Sequence, residues 1–96
     1  FGFIRNAIID QHFIERSRFN RLLAMVIEHR LPGIGIDRLT ALWVKPGGEM
    51  EVMGERVVLV IRPSEDSFPD KTSGDHLTAT NLRLDVFDAG KAFRLD

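Results

Sequence analysis

The pattern of apolar and polar residues predicts a strand and then an amphipathic helix in the first third of the chain. A short apolar run at residues 6–10 ends in an acid, as is typical of a strand that is buried on both faces. From Ser17 to Arg30 the period becomes helical, because apolar residues recur along one helix face at Phe19, Leu22, Leu23 and Val26. Ser17 is the expected N-cap, and Pro32-Gly33 is expected to stop the helix.

The middle of the chain predicts short strands. Residues 33–37 form a second apolar run that ends in an acid. Residues 40–45 and 49–54 flank a Pro-Gly-Gly turn and predict a hairpin. Residues 56–61 form a continuous, largely β-branched run, which predicts a central buried strand.

The last third combines a polar segment with a short β pattern. Residues 62–76 are polar and rich in Pro, Ser, Asp and Gly, so they predict a long flexible loop. Leu82, Leu84 and Val86 alternate with polar residues and are followed by Ala89-Gly90. This order predicts a turn and a final hairpin.

The order of the elements predicts an α/β fold. Strand, helix and strand form one crossover unit, which is expected to be right-handed. The later strands are expected to extend the same sheet in antiparallel fashion. Because a single helix covers one face of a sheet, we expect the other face to be covered by sequence outside the chain or by a partner. By length the 96 residues make one domain at most.

The composition of the chain excludes several classes of function. The formal net charge of −1 gives no global field that would attract nucleic acid or an anionic membrane. Without cysteine, the chain has no disulfide, thiolate metal site or cysteine nucleophile. No apolar run approaches the ~20 residues of a transmembrane helix. The start lacks Met and a signal-peptide layout, so we expect part of a longer protein and favour the cytoplasm over secretion.

Polar chemistry is concentrated where the first strand meets the helix. Asp10, Gln11 and His12 stand at the carboxyl end of the strand, where α/β sheets bind ligands. Histidine suits general acid/base work near neutral pH. Forked donors that match carboxylate or phosphate follow at Arg16, Arg18 and Arg21. The last two share a helix face, whereas the first is expected in the connecting loop. The alternative is structural: a turn acid, a structural histidine and a solvated helix face.

Two stretches carry a family resemblance. "AIIDQHFIERSRFNRLL" followed by "GIGIDRLTAL" resembles the cyanophycinase family, serine peptidases related to peptidase E. The closing "LRLDVFDAGKAFRLD" is similar to the end of that family's sequences. The resemblance implies the C-terminal part of a class I glutamine amidotransferase-like (flavodoxin-like) three-layer α/β sandwich, with an antiparallel β extension.

The resemblance also implies roles for these residues. His12 would be the catalytic base and acid, and the substrate contacts would be Asp10, Gln11, Arg16, Arg18 and Arg21. The family's nucleophile is a serine in a G-x-S-A-G context, which no serine of this chain has. The N-terminal portion of the same protein is therefore expected to supply it, and this chain alone is expected to be inactive.

The family's substrate fits this set of residues. Cyanophycin is polyaspartate with an arginine joined through each side-chain carboxyl. The arginines would bind the free carboxylates of such a polymer, and Asp10 would bind a guanidinium. The resemblance implies no metal or organic cofactor. We expect a homodimer, and neither nucleic acid nor membrane as a partner.

Two departures from the family pattern, the missing serine motif and Arg38, keep other functions open. Arg38 stands where family members often have an acid that orients the histidine, although Asp37 could replace that acid. The full protein could instead be a non-catalytic binding or structural member of the same fold. A metal-dependent hydrolase that uses Asp10 and His12 is a further alternative. Trp43, in a predicted strand, is expected to pack in the core or in an interface.

Overall fold

A computed structural model describes residues 2–4, 6–11, 16–64, 67 and 79–95, with backbone alone for residues 2–4 and 16–18. The elements in these ranges are β1 (Gly2–Ile4), β2 (Ala7–Gln11), α1 (Arg16–His29), β3 (Gly33–Ile36), β4 (Thr40–Val44), β5 (Met50–Gly54), β6 (Val57–Arg62), β7 (Arg83–Asp88) and β8 (Ala92–Phe93). Most of the predicted loop at 62–76 lies outside the described residues. In the described ranges, no helix has the length and apolar character needed to cross a membrane.

The strands form two sheets, and the chain has a mixed α/β architecture. The larger sheet has the order β1-β2-β3-β6-β7, and the smaller sheet has the order β4-β5-β8. β2 and β3 are parallel and are joined through α1, whereas the other neighbouring strands are antiparallel. The predicted strands at 6–10 and 33–37, the hairpin at 40–54 and the central position of β6 are confirmed.

The helix covers one face of the larger sheet. Leu22 and Val26 of α1 are fully buried against Ile8 and Ile61, as the helical periodicity predicts. The approach is close at Gly33, where an added Cβ would lie 2.6 Å from Val26 Cγ2 and 3.0 Å from Leu22 Cδ1. The absence of a side chain at this position therefore sets the distance between α1 and β3.

The small sheet covers the opposite face, which corrects the expectation that this face is left to other sequence. The core between the two sheets contains Ala7, Ile34, Ile36, Met50, Val52, Val58, Val60 and Phe93. Phe87 stacks on Phe93 with ring centroids 4.6 Å apart. The β4–β5 hairpin folds back over the larger sheet instead of extending it, because its inward face is apolar and needs burial.

The expected final hairpin is wrong. β7 pairs with β6 in the larger sheet, whereas β8 pairs with β5 in the smaller one. The turn that separates them is held by β5, since the Gly90 N–H donates to the Val52 carbonyl at 2.7 Å and the Val52 N–H donates to the Lys91 carbonyl at 2.9 Å. These bonds between distant parts of the chain carry it from one sheet to the other.

The helix begins earlier than its sequence signals predict. α1 starts at Arg16, so Ser17 lies inside the first turn and is not the N-cap. Arg16 is the first helical residue and not part of a loop. At the other end the helix stops at His29, and Arg30 takes a left-handed conformation with φ of 56°. The chain thus leaves the helix before Pro32-Gly33.

Trp43 does not pack in the core of this chain. Its side chain is 51% exposed on the outer face of the small sheet, so the core alternative is wrong. Lys45 Nζ lies 4.7 Å from the centre of its ring and 2.9 Å from Glu51 Oε1. The hydrogen bond to Glu51 raises the pKa of Lys45, and the charged ammonium group lies beside the indole ring.

Replacing Gly33 with alanine tests the close approach of helix and sheet. Gly33→Ala should lower the free energy of unfolding by about 1–3 kcal/mol, because Val26 and Leu22 must shift. Urea unfolding measures the change. Val26→Ala removes the closest methyl group, so the double variant should lose less stability than the sum of the two single variants. Simple additivity would contradict this account of Gly33.

Candidate functional site

The carboxyl ends of β2 and β3 lie side by side at one edge of the larger sheet. The two strands are parallel, and Gln11 is in register with Ile36. Polar side chains follow at this edge, with Asp10 and Gln11 ending β2 and Asp37 coming directly after β3. This edge is where an α/β sheet offers its ligand site.

Strand alternation sends the two polar residues of β2 to opposite faces. Asp10 follows Ile8 by two residues and therefore projects to the face that α1 covers, where it is 1% exposed. Gln11 projects to the other face and is exposed. The pair does not line one pocket but flanks the end of β2.

A cavity of about 450 Å³ opens on the Gln11 side. Its apolar wall comes from Ile9, Ile36, Leu39, Leu42 and Val44, and its polar groups come from Gln11, Asp37 and Thr40. β4 contributes Thr40, Leu42 and Val44 to this lining. The cavity can therefore hold an aliphatic group beside a small number of hydrogen-bonding groups.

Hydrogen bonds fix the turn at residues 37–40, between β3 and β4. Asp37 Oδ1 accepts from the Arg38 N–H at 2.7 Å, and Asp37 Oδ2 accepts from Arg56 Nε at 2.9 Å. Thr40 Oγ1 donates to the Arg38 carbonyl at 2.9 Å and accepts from the Arg56 N–H at 3.1 Å. Arg56 thus clamps both ends of the turn.

This clamp sets the ionisation of Asp37. Burial alone would raise the pKa of its carboxyl group. The hydrogen bonds from Arg56 and from the Arg38 N–H, together with the charges of both arginines, outweigh burial and hold the pKa below its ordinary value. Asp37 is therefore a firmly ionised carboxylate whose two oxygens each accept a hydrogen bond.

Leu39 has an unusual backbone in this turn. Its φ is 55°, a left-handed conformation that costs a residue with a side chain roughly 1–2 kcal/mol. Its carbonyl accepts from the Glu55 N–H at 2.9 Å, and an added Cβ on Gly54 would lie 2.3 Å from the same oxygen. Gly54 is thus needed for the contact between turn and hairpin.

The predicted site residues fall into three groups. Asp10 and Gln11 stand at the strand end, as expected. Arg21 is exposed on α1, and Arg16 and Arg18 lie in its first turn with side chains outside the described part. His12 lies outside the described residues, so its role stays a prediction.

Sequence reasoning missed Arg56, Leu39 and Thr40. The Asp37–Arg56 pair joins residues that are distant in sequence, and no local pattern signals the φ of Leu39. Within the ranges that the structure describes, no three His, Asp or Glu side chains could together hold a metal ion.

A second cavity, of about 500 Å³, lies at the opposite edge of the larger sheet, where β6 ends, and contains three arginines. Arg62 Nη1 and Arg83 Nε bind Asp85 Oδ2 at 2.5 and 2.9 Å. Arg94 Nη1 donates to the Gly47 carbonyl at 2.8 Å, while its own carbonyl accepts from Arg62 Nη2 at 2.6 Å. These contacts fasten the segment after β8 to both sheets.

The chain is thus a mixed α/β protein with a cavity at the carboxyl edge of a parallel strand pair. No family model matches the chain. A cyanophycinase of Trichormus variabilis is 37% identical over 99 residues, which cover 98% of this chain. The matches to cyanophycinases of Synechococcus elongatus and Geminocystis herdmanii are 30% and 34% identical and cover 98% and 96% of the chain. The predicted resemblance to the cyanophycinase family is thus confirmed over nearly the whole chain.

The chain matches only part of each relative. The aligned part is 33% of the Trichormus variabilis protein, 30% of the Synechococcus elongatus protein and 35% of the Geminocystis herdmanii protein. The chain therefore spans about a third of the length of the curated relatives it matches.

The pH dependence of stability tests the Asp37 clamp. A carboxyl group with a lowered pKa in the folded state adds stability above its ordinary pKa of 3.8 and loses it as the pH falls through the folded value. Asp37→Asn should therefore destabilise the protein at about pH 7 and have a smaller effect at about pH 3. Urea unfolding at both pH values measures the difference. In an Arg56→Gln background this pH dependence should weaken, and an equal loss at both pH values would refute the clamp.

Proposed function

We propose that this chain is the C-terminal portion of a cyanophycinase-like serine exopeptidase that hydrolyses cyanophycin or related β-aspartyl peptides. The observation that carries the proposal is the match of 96–98% of the chain to cyanophycinases. The fold of the complete domain would be the glutamine amidotransferase-like three-layer sandwich. The remaining two thirds of the protein would supply the nucleophilic serine.

His12 would move the protons of the reaction. It follows directly on Gln11, the last residue of β2, and so comes next in the chain after the edge where ligands bind. As base it would take the serine hydroxyl proton during attack on the amide carbon, and as acid it would give that proton to the leaving amine. Water would then release the acyl group and regenerate the serine.

The residue types at this edge suit a zwitterionic substrate. Asp10 stands next to Gln11 at the end of β2 and would bind a guanidinium. Arg16, Arg18 and Arg21 belong to the first turns of α1, which follows the same edge, and would bind carboxylates. With Gln11 on the opposite face, the substrate would straddle the end of β2. We further propose a homodimer as the working state.

Replacing His12 tests the catalytic proposal. In the complete protein that contains this chain, His12→Ala should reduce the release of β-Asp-Arg dipeptides from cyanophycin by about 10³-fold or more, because the serine loses its base. The matched control is His29→Ala, an exposed histidine at the end of α1, which should retain activity. Circular dichroism verifies that both variants fold. Full activity of His12→Ala would rule out the assignment.

A second candidate is a binding protein without hydrolytic activity. Asp37 is the acid of the β3 end that could orient a histidine, and its carboxylate is already bound to Arg56 at 2.9 Å. Binding of cyanophycin by the complete protein, without release of dipeptides, would favour this candidate over the enzyme.

A further inference from the structure

Leu39 is not explained by the stability of the fold. Its side chain is 68% exposed, so it gains little from burial, and its left-handed backbone is one that glycine or asparagine adopts more easily. Leu39 therefore stabilises the fold neither through burial of its side chain nor through its backbone preference. Strained residues are often found at functional sites, where the surrounding structure holds them in place, so Leu39 is a candidate for a functional role.

The surroundings hold Leu39 firmly. Its carbonyl is fixed by the Glu55 N–H and is backed by Gly54, whose missing Cβ makes room for it. On either side, Arg38 and Thr40 are joined by a hydrogen bond of 2.9 Å. The turn therefore fixes the backbone of Leu39, and this lowers the entropic cost of a contact between the leucine and a ligand.

Leu39 also forms part of the cavity at the strand ends. It lines the same space as Ile9, Ile36 and Gln11 while remaining largely exposed, which places it at the mouth. An apolar wall with an exposed amide suits a side chain that has an alkyl stem and a polar end.

We propose that Leu39 is a specificity-determining residue that packs against the methylene stem of a substrate arginine side chain. The proposal rests on the function proposed above, because it takes its ligand from the β-aspartyl-arginine polymer. Recognition by Leu39 would select for the length of the apolar stem, whereas charged groups of the site would select for the ends.

Stem length and Leu39 can be varied independently in a binding experiment. Two soluble β-aspartyl oligomers are compared, one carrying arginine and one carrying a homologue with two fewer methylenes. Titration calorimetry uses the complete protein with His12→Ala, which prevents turnover. The arginine oligomer should bind about fivefold or more tightly than the shorter one, because each buried methylene favours binding. With Leu39→Gly added, this preference should fall below about twofold.

Controls separate this role from a structural one. Leu39→Gly relieves the backbone strain, so the melting temperature of this variant should not fall. If the leucine were needed for folding, its replacement would lower the melting temperature. Leu39→Met keeps an apolar side chain and should retain the preference. Leu84→Ala alters another exposed leucine, which is 52% exposed on β7, and should leave the preference unchanged.

The outcomes also separate this inference from the proposed enzyme. If the unmutated protein hydrolyses cyanophycin but Leu39→Gly keeps the preference for arginine, the inference fails and the enzyme stands. If the protein does not hydrolyse the polymer, yet Leu39→Gly abolishes the preference, the inference stands without the enzyme. Failure of both oligomers to bind overturns the inference.

Discussion

Burial of the parallel strands β2 and β3 on both faces is the constraint on which this structure depends. α1 covers one face through Leu22 and Val26, and the small sheet covers the other through Val52. The two faces of β3 differ, because Gly33 contacts the helix while Ile34 and Ile36 pack between the sheets, so a slip of one residue would exchange unlike faces and the register is fixed. It also confines polar side chains to the strand ends, and this is why Gln11 and Asp37 meet at one edge.

Two glycines allow the close backbone contacts that shape the site. Gly33 lets the helix approach β3 so closely that a methyl group would collide with Val26. Gly54 makes room for the carbonyl of Leu39, and the turn is thereby locked to the hairpin. The first contact sets the position of the helix that carries the arginines, and the second sets the wall of the cavity. Both halves of the site thus depend on close backbone approach.

The sequence pattern predicts the elements of this core but not all their pairings. Apolar runs and helical periodicity are local signals, so β2, α1, β3 and β6 are visible in the sequence. The pairing of β8 with β5 depends on bonds between Gly90, Lys91 and a strand far away in the chain, which no local period encodes. The same holds for the site. The expectation that ligands bind at the carboxyl ends of strands leads to Gln11, whereas the contact between Arg56 and Asp37 joins residues that are distant in sequence and leaves no local pattern.

The charges around the 37–40 turn bear on any ligand that binds beside it. Asp37 is offset by Arg56 at 2.9 Å, and Arg38 adds a second cation, so these three residues carry a net positive charge. A net positive charge favours the approach of anionic groups. Gln11 lies at the same edge, and its amide can both donate and accept hydrogen bonds. Because the buried strands hold the turn and the amide side by side, the polar character of this edge follows from the packing of the core.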